Sequence, residues 1–233
     1  MSWTAADSAL VAPGHSSASA AAYRIGVYGG AFDPPHLAHV ALAKAAIAQA
    51  DLDLLLVIPT GQAWHKSRTL SPAADRLAMV QLAFEDQAKV KIDGRETLRS
   101  GPTYTIDTLE ALKQAHPKAS FALFIGQDQA AAFTSWHRWR AVLEIATLFV
   151  AEREGTISGN GLLNTLNGLL VATKGASPDA GLADSCVQAL MLPPMAISAT
   201  DIRQRASKGL GISHLVPEAV AGYIAQHHLY RTA

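Results

Sequence analysis

Ile25-Gly-Val-Tyr-Gly-Gly-Ala-Phe-Asp-Pro-Pro-His-Leu-Ala-His39 runs from a short apolar segment through two glycines into a stretch that opens with two histidines. Ile25, Val27 and Tyr28 are strand formers. Gly29 and Gly30 carry no Cβ to hold a ligand away from the backbone, so the strand is expected to end in a site open to close approach. Asp33 is a favourable N-cap, and Pro34 and Pro35 suit a first helical turn. From His36 onward Val40, Ile47 and the alanines between them recur at helical spacing. The stretch therefore predicts strand, glycine turn and helix. His36 and His39 would share one face of that helix, beside the free amide groups of its first turn. Singly, such histidines read as caps or core-edge residues. Beside glycines, an Asp-Pro pair and the positive end of a helix, which disfavours imidazolium, they make chemical sense if a phosphate supplies the negative charge.

Further strands follow. Asp53–Pro59 and Ser120–Gly126 are continuous apolar runs of strand length, the pattern of strands covered on both faces, and Ala146–Ala151 and the short Val90–Ile92 are further candidates. Pro72–Phe84 reads as a helix with Leu77, Val80 and Phe84 on one stripe. Pro217–His228 reads as a closing helix with Val220, Tyr223 and Ile224 inward. Repeated strand, turn and helix predict an α/β fold: a single Rossmann-like domain, residues 23–233, with a doubly wound parallel sheet, helices on both faces and ligands at the carboxyl edge. Neither Gly-x-Gly-x-x-Gly nor Gly-x-x-x-x-Gly-Lys occurs, so phosphates would have to be held in another way.

Several polar segments fall beside these elements. Thr60–Leu70 gathers Trp64, His65, Lys66 and Arg68 after a strand end, which reads as a solvated basic loop or as a site. Thr103 and Thr105 are candidate caps of a helix that follows Gly101-Pro102. Asp128, just past a strand end, is either an N-cap or an acceptor for ribose hydroxyls. Trp136 offers a flat face, whereas Trp139 reads as core. Ser198 and Asp201 form a capping box that needs no ligand. Arg203 opposes the dipole of the same helix, a cost most readily met where an anion intervenes.

The whole chain sets bounds. Its 233 residues suit one α/β domain, and 19 basic against 19 acidic residues argue against a broad nucleic-acid or membrane surface, so any anion site must be local. Cys186 is the single cysteine, which excludes an internal disulfide and a cysteine-based zinc site and fits a reducing cytoplasm. Residues 1–22, rich in Ala and Ser and lacking Lys and Arg, read as a poorly ordered extension without a signal-peptide pattern. Residues 152–189 read as a variable insertion. Oligomeric state is left open, a homo-oligomer included.

Taken together and in this order, the motifs resemble those of the nucleotidyltransferases that share an HxGH-type motif with class I aminoacyl-tRNA synthetases. Within them the chain is most similar to the bacterial nicotinate-nucleotide adenylyltransferases. Gly29 to His39 matches GGxFDPxHxGH, with Ala31 in place of Thr or Ser and Ala38 in place of Gly. The resemblance implies transfer of the adenylyl group of ATP, with Mg²⁺, to nicotinate mononucleotide. It assigns ATP to Gly29, Gly30, Ala31, Phe32, His36 and His39, and the β- and γ-phosphates to Ser198, Thr200 and Arg203 of the ISxTxxR-like segment. His65 and Lys66 match a phosphate-side His-Lys pair, although Ala63-Trp64 replaces Pro-Pro. Thr103, Tyr104 and Thr105 would surround the nicotinate ring and its carboxylate. Asp128 would stand on the ribose side, with Trp136 and His137, the latter often Tyr, flanking the ring. His36, His39, Lys66 and Arg203 would share the catalytic work, with no dedicated protein metal site. The alternatives are a sister enzyme acting on nicotinamide mononucleotide and a non-catalytic nucleotide sensor.

Overall fold

The computed structural model describes residues 23–61, 69–153, 168 and 187–231. The expected amino-terminal extension, the His65-Lys66 pair and most of the segment 152–189 lie outside the described residues. Six parallel strands form one sheet: β1 (Arg24–Gly30), β2 (Leu54–Pro59), β3 (Val90–Ile92), β4 (Ser120–Gly126), β5 (Ala146–Arg153) and β6 (Val187–Leu192), in the order β3-β2-β1-β4-β5-β6. This is a doubly wound sheet whose order reverses between β1 and β4, the place where such sheets open a crevice. The expected α/β architecture is observed.

Among the described residues the α-helices that accompany the strands are α1 (Leu37–Gln49), α2 (Ala73–Phe84), α3 (Thr105–Ala115), α4 (Gln127–Ala131), α5 (Trp139–Ile145), α6 (Ala199–Ser207) and α7 (Glu218–Gln226). Side chains alternate across the sheet, so each strand feeds two cores. Tyr28, Leu55, Val57, Phe124 and Phe149 face one core, with Leu42, Met79, Val80, Ile202, Val220 and Ile224. Ile25, Val27, Leu54, Leu56, Leu123 and Val150 face the other, with Ile106, Leu109, Leu112, Trp139 and Val142. Every residue of β2 is buried, which is why its sequence is apolar without alternation.

Three expectations are corrected. Gly29 and Gly30 belong to β1 and pair with Ile58 and Pro59, and α1 starts only at Leu37 with His36 as its N-cap. Asp33 is therefore not a cap, and Pro34 and Pro35 lie outside the first helical turn. Between strand and helix the chain makes a turn, with Phe32 at φ +46° and a cis Asp33–Pro34 peptide. Tertiary partners win the buried Asp33: its carboxylate accepts from Tyr230 Oη at 2.7 Å and from the Ser71 N–H at 3.2 Å. Lastly, neither Thr103 nor Thr105 caps α3, whose N-cap is Tyr104 without a side-chain bond. Thr103 is buried in the site below instead. At the ends of the segment read as an insertion, Glu152 and Arg153 complete β5, and β6 begins at Val187.

Candidate active site

A cleft of about 440 Å³ lies over the carboxyl ends of β1 and β4. Gly29 and Gly30 at the end of β1 and Ala31 after it line the cleft, with His36, the N-cap of α1, and Ala38 and His39 from its first turn. A Cβ built on Gly29 meets nothing within 4 Å, so packing does not require glycine there, and its absence leaves the backbone open to the cleft. On Gly30 it would stand 3.0 Å from the Phe32 ring. Phe32 itself is buried beneath the site, its ring 5.0 Å from that of His39 and 5.4 Å from that of Tyr28, and it is not a lining residue.

The two histidines stack, ring centroids 3.6 Å apart. The His36 N–H donates to His39 Nδ1 at 3.1 Å, while His36 Nδ1 is buried without a hydrogen-bond partner among the described residues. Burial lowers the His36 pKa to about 4, so its ring is neutral near pH 7. The first-turn amides are less free than the sequence suggested: the Leu37 N–H donates to Leu215 O at 2.9 Å and the His39 N–H to His36 O at 2.9 Å.

Across the cleft stand Thr103, Tyr104 and Thr105 at the start of α3, Asp128 in the first turn of α4, and Trp136 and His137 beyond it. Gly126 is the N-cap of α4, which leaves the Asp128 carboxylate on the cleft wall rather than in a cap. Trp136 packs beside Phe133, and the His137 ring lies 4.5 Å from that of Tyr104. Trp139 is core, as its position implied. Thus the fold joins residues from both halves of the chain at one opening.

On the outer side of the Asp33 turn, Ser198 caps α6 by accepting the Asp201 N–H at 3.1 Å, which satisfies the capping reading. Arg203 points at the turn: Nη1 donates to Asp33 O at 2.7 Å and Nη2 to Thr200 Oγ1 at 3.1 Å. Ser198, Thr200 and Arg203 border the turn without lining the cleft. Among the described residues, no three His, Cys, Asp or Glu group to hold a metal. No helix of the described residues is long and apolar enough to cross a membrane.

The sequence reading missed two residues. Arg76, only 2% exposed, donates from Nε to Ser71 O and from Nη1 to Ala31 O, both at 3.0 Å, tying the loops that follow β1 and β2 to α2. A signal existed, because Arg76 falls on the same helical stripe as Met79, Val80 and Ala83. Glu96 also lines the cleft and accepts from Thr108 Oγ1 at 2.8 Å; burial pushes its carboxyl pKa up. No spacing in the sequence marks it.

A cytidylyltransferase-like family model matches residues 27–205. A protein of Albidiferax ferrireducens, named as a probable nicotinate-nucleotide adenylyltransferase, is 49% identical over 210 residues, which cover 90% of this chain and 99% of that one. One from Methylibium petroleiphilum with the same name is 41% identical over 213 residues, covering 89% and 92%. Among solved structures, Plasmodium falciparum nicotinic acid mononucleotide adenylyltransferase complexed with APC aligns with a TM-score of 0.67 over 89% of this chain and 97% of that one. At 20% identity that likeness is one of fold.

Proposed function

Because the chain belongs to the nicotinate-nucleotide adenylyltransferase family, within the cytidylyltransferase-like proteins, we propose that it transfers the adenylyl group of ATP to nicotinate mononucleotide, forming nicotinate adenine dinucleotide and pyrophosphate. One observation carries this reading from the geometry. A single cleft holds the stacked histidines on one side and the Thr103–Thr105, Asp128 and Trp136 wall on the other, the arrangement that transfer between two nucleotides in one site would use.

In the reaction a phosphate oxygen of the mononucleotide attacks the α-phosphorus of ATP. The bond to the bridging oxygen breaks, and pyrophosphate leaves with the electron pair. The nucleophile arrives already ionised, so the protein supplies alignment and charge stabilisation rather than a covalent intermediate. His36 and His39 stand where the triphosphate would pass over Gly29 and Gly30. A phosphate beside them supplies the anion that favours a protonated or donating imidazole. Arg203 and Lys66 add fixed positive charge, with Ser198 and Thr200 as hydroxyl partners. ATP enters as its Mg²⁺ complex, the ion carried mainly by phosphate oxygens and water. At the other end Trp136 and His137 flank the pyridine ring, the Thr103–Thr105 segment receives its carboxylate, and Asp128 accepts from ribose hydroxyls. A cytoplasmic location goes with this reading and with a lone cysteine, Cys186.

The test is pyrophosphate release from ATP and Mg²⁺ with nicotinate mononucleotide and, in parallel, with nicotinamide mononucleotide. A higher kcat/KM for the acid is expected. Preference for the amide would overturn the assignment of the Thr103–Thr105 segment, and no turnover with either would overturn the reaction.

A further inference from the structure

We infer that Tyr230, near the carboxyl end of the chain, is a positioning residue for the triphosphate side of the cleft: its hydroxyl holds the Asp33 carboxylate while Arg203 holds the Asp33 carbonyl. This rests on the proposed function for the identity of the ligand, and on geometry for the rest. Tyr230 Oη donates to Asp33 Oδ1 at 2.7 Å across 197 residues of sequence. Asp33 is 1% exposed and sits in the turn between Gly30 and His36, the two residues that bound the phosphate side. Its other carboxylate oxygen takes the Ser71 N–H at 3.2 Å, and its carbonyl takes Arg203 Nη1 at 2.7 Å. The turn is thus held from three directions, and one hold comes from the chain's last described segment. Burial and the neighbouring Asp33 carboxylate push the Tyr230 pKa up, which keeps the hydroxyl protonated and donating.

The backbone is bent to deliver that hydroxyl. After α7 the Leu229 N–H reaches back to Ile224 O at 3.0 Å and the His228 N–H to Ala225 O at 3.4 Å, a Schellman closure. The position that usually takes glycine in such a closure is His228, at φ +51°, and Tyr230 follows at φ +64°. Two non-glycine residues in the left-handed region persist only where surrounding contacts over-determine them. The packed Leu229 side chain and the Tyr230 hydroxyl are those contacts.

The same segment contains its own control. Tyr223 Oη donates to Asp75 Oδ1 at 2.9 Å, a tyrosine–aspartate bond to α2 that does not hold the turn between Gly30 and His36. Tyr230→Phe should lower Tm more than Tyr223→Phe, because Asp33 is buried and Asp75 is not, and the two should also differ in ligand binding. ATP with Mg²⁺ is titrated calorimetrically into each full-length protein, and KM for nicotinate mononucleotide is measured alongside. Tyr230→Phe is expected to weaken ATP binding about tenfold, the scale of one charge-assisted hydrogen bond, with KM for the mononucleotide within about twofold of wild type. Tyr223→Phe is expected to bind ATP as wild type does. Equal ATP affinity in Tyr230→Phe and wild type, or equal weakening in both variants, would overturn the positioning role. Wild-type protein that binds ATP but transfers nothing to nicotinate mononucleotide would instead overturn the acceptor assignment and leave Tyr230 to be judged by ATP affinity alone.

Discussion

The His36 and His39 imidazoles stack with planes 24° from parallel, and the His36 N–H donates to Nδ1 of His39. An accepting Nδ1 leaves Nε2 as the ring nitrogen of His39 that can carry a proton and donate. The arrangement also orients His39 by backbone geometry rather than by a flexible partner. A donor held this way costs little reorganisation when negative charge develops on a transferring phosphoryl group.

His39→Ala removes that donor and leaves the Gly29–Gly30 floor intact. The expected result is a fall in kcat of about 10² to 10³, with the ATP dissociation constant changed by no more than about threefold. Steady-state kinetics and direct ATP titration separate the two. An unchanged kcat would remove His39 from the mechanism.

The pKa of His36 is lowered from 6.5 to about 4 by burial, and the residue is 7% exposed. Between those values the unfolded chain binds a proton that the folded chain refuses. The contribution to stability is therefore complete above about pH 6.5 and is lost as pH falls toward 4, with a slope of at most about 1.4 kcal/mol per pH unit. Urea unfolding at pH 7, 6 and 5 should show this decline, and His36→Gln should flatten it. Parallel declines in the two proteins would assign the proton to another group.

Arg76 is the buried fork between two loops, and lysine cannot reproduce two directed guanidinium bonds. Arg76→Lys is expected to lose about 2 kcal/mol or more in denaturant unfolding, since buried carbonyls lose charged donors. KM for ATP should rise with it, because the Ala31 carbonyl belongs to the turn proposed to carry the phosphates. A variant of wild-type stability and wild-type KM would mean that water replaces the fork without cost.

The legible parts of the chain were those whose signal is local. β2 and β4 are buried on both faces, so their apolar runs announce them, and α2 and α7 begin one residue after the expected prolines, which stand as their N-caps. β6 is not among the strands expected from sequence, because it is an edge strand with intermittent burial and lacks a continuous apolar run. The turn at Asp33 was misread as a helix cap because the partners that win its carboxylate lie 38 and 197 residues away. Propensity sees neighbours in sequence, and a buried carboxylate answers to neighbours in space. The same holds for Arg76 and Glu96, whose partners are backbone carbonyls and a hydroxyl with no motif to mark them.

A substitution at Trp136 tests which end of the cleft takes which ligand. Its ring is half-buried, backed by Phe133 at 5.3 Å, and exposed to the cleft beside the Tyr104–His137 pair. A flat, backed indole suits stacking with a pyridine ring and makes little contribution to phosphate binding. Trp136→Ala should therefore raise KM for nicotinate mononucleotide about tenfold while KM for ATP stays within about twofold. A rise in KM for ATP alone would place the adenine against Trp136, and the two ends of the cleft would have to be exchanged.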